Sequence, residues 1–321
     1  METLHGIDGL RKLPQGAIIS IGNFDGIHLG HQRILQTAQK HALELQTSVA
    51  IVTFEPHPLT VLRPKLAPPR LTLPQRKAEL LAQTGVKHLV ILPPEPAVLN
   101  LTAEQFWHLL RDQVKPAWLV EGSSFNFGRG REGTIEKLKE WSQGSPVKLH
   151  IVEGVEATLL DLSIVAVSSS LIRWLISYGR ARDAAICLGR PYELEGKVIE
   201  GHKRGQKIGV PTANLDCGDQ LIPADGVYAG RCTHAGKTYS AAISIGTLPT
   251  FGEYARQVEV HLINFAGNLY GQTLRVEILD WLRDQRKFVG INALKNQLHK
   301  DISLTLSRYA GRGQGEGLLR T

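Results

Sequence analysis

Apolar residues recur along this chain in two different rhythms. In the first half, short unbroken apolar runs occupy 17–21, 49–54, 88–92 and 117–120. Between them lie stretches whose apolar positions fall three or four apart: Ile34, Leu35, Ala38 and Ala42, then a segment opened by Pro74, then 102–114. Unbroken runs of four to six suit strands buried on both faces, and the 3.6-residue period suits helices. Their alternation predicts a parallel sheet with helices on both faces. The proline-rich stretch 59–73 reads as a long loop over the strand ends. Further on, the pattern changes to short alternating runs at 227–232, 239–245, 258–265 and 274–279. Asp225-Gly226, Ala235-Gly236 and Ala266-Gly267 separate them. Period-2 runs with close turns predict an antiparallel sheet or small barrel. A helical pattern over 291–302, with Ile291, Leu294, Leu298 and Ile302 on one face, ends the patterned region. The expected organisation is two domains, 1–185 and 186–321.

Bulk properties narrow the function classes. A chain of 321 residues, 42% hydrophobic and 21% charged, is long enough for two ordinary globular cores. The net charge of +7 suits anionic ligands without choosing among them. No run of five basic residues occurs, and 6% aromatic content is sparse for stacking bases, so nucleic acid is not expected as a partner. Cys187, Cys217 and Cys232 are odd in number and far apart, which fits a reducing compartment rather than a disulfide framework. No signal-like start and no long uncharged apolar stretch are seen, so the expected location is cytoplasmic, away from membranes.

The candidate chemistry centres on residues 22–31, Gly22-Asn23-Phe24-Asp25-Gly26-Ile27-His28-Leu29-Gly30-His31. An apolar run leads into this stretch and a helical pattern leaves it. Free backbone N–H groups and the positive end of a helix dipole meet at such a turn, making an anion site. His28 and His31 stand at that helix start. Two zinc ligands on one face is a second reading, although no neighbouring Cys or His completes a four-ligand set. The stretch is neither a Walker loop nor a dinucleotide fingerprint.

These residues resemble the His-x-Gly-His signature of nucleotidylyltransferases. The Gly-Asn-Phe-Asp-Gly form is similar to the adenylyltransferase half of bacterial bifunctional riboflavin kinase/FAD synthetases. The resemblance implies a Rossmann-like first domain in which Asn23, His28 and His31 are catalytic and Gly22, Phe24, Asp25 and Gly30 bind ATP. Two further stretches fit. Ser168-Ser169-Ser170-Leu171-Ile172-Arg173 resembles the family's second nucleotide signature, implying that Ser168, Ser169 and Arg173 hold phosphates; by itself it is a capped helix start. Ser124-Phe125-Asn126-Phe127-Gly128 resembles the loop lining the flavin pocket, with Ser124 where the family usually has Asp or Asn. Phe54, Pro56, Pro58, Ser124, Phe125, Phe127 and Arg131 are therefore the implied flavin contacts. The segment 93–100 departs from the family pattern.

The second half carries Gly196, Gly201, Gly205 and Gly209, followed by Pro211-Thr212-Ala213-Asn214. A glycine-rich basic loop can wrap a polyphosphate with backbone amides. Thr212 and Asn214 offer hard oxygens two apart, which suits Mg²⁺. This run resembles the riboflavin kinase signature. The resemblance assigns Gly201, Lys203, Gly205, Lys207, Gly209 and Pro211 to ATP and Thr212 and Asn214 to the metal. Residues 223–228, 244–251 (with Ser244 for the usual Asn), 258–262 and 269–271 also fit. They make Glu259 the general base, and Arg283 and Phe288 flavin contacts. A Glu in an alternating strand is otherwise an ordinary solvated residue.

The implied chemistry is a pair of reactions. The β-barrel domain, closed by its C-terminal helix, phosphorylates riboflavin with ATP to give FMN and ADP. The first domain joins FMN to ATP to give FAD and pyrophosphate. Two rivals remain: a transferase of the same fold acting on another alcohol phosphate, and a non-catalytic flavin sensor.

Overall fold

The computed structural model describes residues 1–200, 209–248 and 253–309. The chain divides into two compact units, Met1–Glu156 and Ala157–Thr321.

The first unit runs β1 (Glu2–His5), α1 (Gly6–Arg11), β2 (Ile18–Ile21), α2 (Leu29–Glu44), β3 (Val49–Phe54), α3 (Leu59–Leu62), α4 (Pro74–Gln83), β4 (His88–Leu92), α5 (Pro96–Leu99), α6 (Ala103–His108), β5 (Trp118–Gly122), α7 (Ile135–Ser142) and β6 (Lys148–Val152). Its six strands lie in the order β1-β4-β3-β2-β5-β6, and every neighbouring pair is parallel. β3 and β4 add on one side of β2, and β5 and β6 on the other. The switch point is therefore the crevice between the carboxyl ends of β2 and β5, where open α/β sheets take ligands.

Successive residues of each strand serve opposite layers. Ile19, Ile21, Val52 and Leu119 pack against Leu10, Phe106, Trp107 and Leu138 of α1, α6 and α7. Ile18, Ile51, Leu89 and Val120 pack against Leu35 and Ala38 of α2 and Leu80 and Leu81 of α4. This is the expected sheet covered on both faces. Edge strands β1 and β6 escaped the apolar pattern because most of their residues keep some exposure, so neither forms a continuous apolar run.

Two local expectations change. The expected loop 59–73 contains α3 and a short 3₁₀ turn, Pro64–Leu66. The expected helix 102–114 is α6 followed by a wider π turn, Leu109–Val114, ended by Lys115 at φ 55°. Pro116 follows, and the residue before a proline is kept out of the right-handed helical region.

In the second unit, the hairpin of β7 (Glu156–Thr158) and β8 (Ile164–Ala166) begins at the boundary and leads to α8 (Ser169–Ser177) and α9 (Ala181–Leu188). Then come β9 (Tyr192–Ile199), β10 (Ala213–Asp216), β11 (Gly226–His234), β12 (Lys237–Leu248), β13 (Glu253–Leu262), β14 (Thr273–Arg283) and α10 (Ile291–Tyr309). The six strands β9 to β14 close into a barrel in the order β10-β13-β12-β11-β14-β9, each pair antiparallel. Val198, Ala213, Leu215, Ile243, Ile245, Val258, Val260 and Val276 are buried, as the period-2 pattern requires.

The last helix turns inward the face that carries Leu294, Leu298 and Ile302, and two polar residues share it. Ile291 is exposed, and the deeply buried positions on α10 are Asp301 and Thr305. Asp301 faces inward because it pairs with Arg283 of β14, and the Thr305 hydroxyl donates to the Asp301 carbonyl at 2.9 Å. Cys187, Cys217 and Cys232 are free and buried, and burial pushes their thiols up to about 11, 12 and 11.

Candidate active site

The stretch 22–31 turns out of β2 and starts α2. Gly22 N–H still donates to the Val52 carbonyl at 2.9 Å, so strand pairing continues up to the turn. Phe24, Gly26 and Ile27 then take φ of 46°, 85° and 40°. Left-handed conformations at a bulky and a β-branched residue cost about 1–3 kcal/mol each and persist only where the surroundings enforce them. Here Phe24 and Ile27 are buried in the layer beneath α2. His28 caps the helix, its Nδ1 accepting from His31 N–H at 3.4 Å. In the neutral ring this puts the proton on Nε2. The His28 and His31 rings stack with centroids 3.8 Å apart, and Phe24 lies 4.9 Å from His31.

His31 Nδ1 is buried with no hydrogen-bond partner among the described residues. Burial, with His28 and Lys77 adding to it, pushes the His31 pKa well below the usual imidazole range. At neutral pH His31 is therefore an uncharged imidazole that offers an N–H rather than a cation. Among the described residues no group of three or more His, Cys, Asp or Glu could hold a metal ion.

The floor of this site joins Asp25 and Asn23 to residues that the sequence reading passed over, Thr53, Glu55, His57, Arg70 and Lys77. The buried Asp25 carboxylate accepts from Leu71 N–H at 3.1 and 3.0 Å and from Thr72 N–H at 3.0 Å, pinning the proline-rich segment to the turn. Glu55 pairs with Arg70 and, at 3.5 Å, with Lys77. Lys77 is buried and its pKa is lowered by burial, against the pull of Glu55 and Asp25. Asn23 and His57 hydrogen bond at 3.1 Å, and the Thr53 hydroxyl donates to the Asn23 carbonyl. A lysine three residues after Pro74 was the sequence signal for Lys77, but its helix reads as a surface helix until the long segment folds over it.

Three of the expected flavin contacts of this unit, Phe54, Phe125 and Phe127, lie on the opposite layer. Phe54 and Phe125 pack against the same apolar cluster that contains Phe127. Phe125 and Phe127 stack with centroids 5.6 Å apart. Phe127 and Gly133 exchange backbone hydrogen bonds of 3.0 and 2.9 Å, which closes the loop. Gly128 has φ 73°, and a Cβ there would lie 2.5 Å from the Ala103 nitrogen, so the loop requires glycine. Ser124, Arg131 and Pro56 are exposed and Pro58 half-buried. Beside α2, a cleft of about 630 Å³ is lined by Leu29, Gln32, Arg33, His150, Val152 and Gly154 among others.

In the second unit Ser168 caps α8, its Oγ accepting from Leu171 N–H at 3.2 Å, with Ser169 and Arg173 in the first turns. Gly30 stands in the first turn of α2 in the other unit. Gly201, Lys203, Gly205 and Lys207 lie outside the described residues, as do 249–252. Gly209 takes φ 82°, and Pro211 leads into β10 with its carbonyl 2.7 Å from His261 Nδ1.

The barrel aligns the rest. One row of register partners crosses its strands: Ile199, Asn214, Glu259, Ser244, Val227 and Arg283. Residues in one row share a face. Their neighbours Ala213, Leu215, Val258, Val260, Ile243 and Ile245 are buried, so Asn214, Glu259 and Ser244 look outward from the barrel, while Val227 in the same row is itself buried. Thr212 stands two residues before Asn214. The Ser244 hydroxyl accepts from Gln285 at 2.7 Å. Arg283 is held by Asp301 at 2.7 Å, and its guanidinium lies 5.7 Å from the Phe288 ring centroid.

Two family models match. The FAD synthetase model covers residues 10–166 and the riboflavin kinase model residues 188–308. The bifunctional riboflavin kinase/FMN adenylyltransferase of Escherichia coli K12 is 33% identical over 317 residues, spanning 97% of this chain and 98% of that protein. Its counterpart in Bacillus subtilis is 33% identical over 290 residues, spanning 89% and 90%. A solved structure described as a macrolide-efflux protein from Streptococcus pneumoniae has the same fold, with TM-score 0.83, 30% identity, and 95% and 99% of the two chains covered. Among the described residues of this chain no helix is long and apolar enough to cross a membrane. The chain belongs to the bifunctional riboflavin kinase/FMN adenylyltransferase family, and it uses ATP to phosphorylate riboflavin to FMN and to adenylylate FMN to FAD.

Proposed function

We propose that adenylyl transfer takes place at 22–31 and phosphoryl transfer along the row that joins Asn214 to Glu259. The division of labour falls near residue 185, which the matches at 10–166 and 188–308 support.

In the first reaction the riboflavin 5′-hydroxyl attacks the γ-phosphorus of ATP. The hydroxyl proton goes to Glu259, a new oxygen–phosphorus bond forms, and ADP leaves. A positioned base is worth about 10²–10⁴ in rate. Thr212 and Asn214 present hard oxygens beside Glu259, a donor set that fits Mg²⁺. When bound, Mg²⁺ would neutralise charge on the ATP phosphates. Gly201, Lys203, Gly205, Lys207, Gly209 and Pro211 carry ATP contacts in this reading, and Arg283 and Phe288 flavin contacts.

In the second reaction an FMN phosphate oxygen attacks the α-phosphorus of ATP, and the bond to the β-phosphate breaks to release pyrophosphate. The nucleophile is already ionised, so no base is needed. Catalysis is positioning and hydrogen bonding to developing charge. The observation that supports this most is the stacked His28–His31 pair at a helix start, with His31 Nδ1 lacking a protein partner among the described residues. The uncharged His31 ring offers an N–H to a phosphate oxygen, with the His28 ring stacked beside it. Asn23, Gly22, Phe24, Asp25 and Gly30 shape the turn around the phosphates. Motif resemblance assigns Ser168, Ser169 and Arg173 to the phosphate chain. The cleft beside α2 suits the nucleoside end of ATP, and Phe54, Pro56, Pro58, Ser124, Phe125, Phe127 and Arg131 the flavin. The expected setting is the cytoplasm.

A product assay with riboflavin, ATP and Mg²⁺ tests the assignment. Glu259→Ala should stop FMN formation yet leave conversion of added FMN to FAD intact, and His31→Ala should do the reverse. Loss of both steps from either folded variant contradicts a two-site enzyme.

A further inference from the structure

Strands β2 and β5 pair at Ile18 with Trp118 and at Ile19 with Leu119, and the ladder goes no further. Beyond that point β2 is held differently on its two sides. Toward β3, the Gly22 N–H donates to a strand carbonyl, that of Val52. Toward β5, the Ile21 N–H donates to Oε1 of Glu121 at 2.9 Å. A side chain thus stands where a strand carbonyl would continue the ladder. It does so at the switch point, one residue before the phosphate turn begins. Closing the ladder would satisfy the same N–H without burying a carboxyl, but it would also close the crevice where such sheets bind ligands. Glu121 is 1% exposed.

We infer that Glu121 is a positioning residue for adenylyl transfer: through the Ile21 N–H it sets where β2 ends, and so where Gly22 and Asn23 meet the phosphates. The inference rests on the adenylyl-transfer reading of 22–31. Burial raises the Glu121 carboxyl well above the usual carboxylate range, with the Ile21 N–H pulling the other way. The task of the carboxyl in this position is to accept one hydrogen bond from the strand. An amide of the same length can do this; a leucine cannot.

The test is steady-state kinetics of both reactions in the full chain, with the kinase step as internal control. Glu121→Gln should keep kcat for FAD formation within about threefold of wild type. Glu121→Leu should lower it by about tenfold to a hundredfold, the scale of a small misplacement of reacting groups. In both, KM for ATP and the rate of FMN formation should stay near wild type. If the leucine variant does not fold, Glu121→Asp, one methylene short, takes its place with an expected loss of about tenfold. Unchanged kcat in the leucine or aspartate variant overturns the inference, as does a glutamine variant as impaired as the leucine. A wild-type chain that makes FMN but no FAD would instead sink the underlying reading of the turn.

Discussion

Asn214 stands directly opposite Glu259 across the antiparallel pair β10–β13. Side chains so placed have Cβ atoms about 4.5–5.5 Å apart. The Pro-Thr-Ala-Asn segment and the candidate base are 45 residues apart in sequence (259 − 214), and the barrel makes them neighbours. His261, two residues beyond Glu259, reaches the Pro211 carbonyl and ties the two segments together again. Asn214→Ala should therefore weaken the metal requirement's set point rather than abolish folding. FMN formation should fall by about tenfold to a hundredfold, the usual cost of losing a group that supports a metal. Raising Mg²⁺ should recover part of the loss, and FAD formation from added FMN should be untouched. A variant whose FMN formation is independent of Mg²⁺ concentration and unchanged in rate speaks against the metal role.

The turn at Asp25 depends on one carboxylate holding two backbone N–H groups of a distant segment. Asp25→Ala leaves those donors buried, and hydrogen bonds to charged groups are worth about 1.5–3 kcal/mol. The first unit should lose about that much stability in urea denaturation, and the segment 63–73 should become sensitive to protease. FAD formation should fall while FMN formation persists.

His31 gives a signed pH dependence. Its folded pKa lies well below the ordinary 6.5 because burial, His28 and Lys77 all oppose protonation. The unfolded chain then binds the proton more readily than the folded one as pH drops. The stability linked to His31 is complete above about pH 6.5 and is lost as pH falls from there through the folded pKa. The denaturation midpoint of the first unit should fall between pH 7.5 and pH 5.5. His31→Gln should have a shallower acid slope, and an equal slope in the two proteins would rule this origin out.

Arg283 and Asp301 join β14 to α10 across an almost fully buried contact, with Gln297 donating to the same carboxylate at 2.9 Å. Removing one member of a buried pair costs about 3–5 kcal/mol, whereas replacing both by apolar groups is often neutral. Asp301→Ala should destabilise the second unit by that amount. The double replacement Arg283→Met with Asp301→Leu should recover much of the stability. If Arg283 and Phe288 face riboflavin, the double variant should still show a raised KM for riboflavin. Wild-type KM in a stable double variant removes Arg283 from the flavin site.

Much of the architecture could be read from local pattern. Runs such as 49–54, buried on both faces, and helix faces such as Leu35, Ala38 and Ala42 obey periods set by backbone geometry alone. His28, His31, Thr212 and Asn214 stood out as candidates for a related reason, since each belongs to a short segment whose residue types and spacing suit phosphate or metal, whereas Glu259 was a candidate only through the family resemblance. Edge strands β1 and β6 were not, because each has a single strand partner and keeps exposed residues that break the apolar run.

Tertiary structure alone settled which charges act together. Lys77 and Arg70 read as surface groups until the segment after β3 folds back and brings both to Glu55. Asp301 lies seven residues beyond Leu294 and so on the same face of the last helix, and the arginine on β14 is what places a carboxylate among those apolar positions. At 22–31 the sequence by itself determined a strand, a glycine-rich turn and a helix start with two histidines. That His31 is uncharged, that Asp25 holds a distant segment, and that Glu121 receives the N–H at the open end of β2 were decided by burial and by contacts about 50 to 100 residues apart. Desolvation depends on everything packed around a group, and no local pattern encodes it.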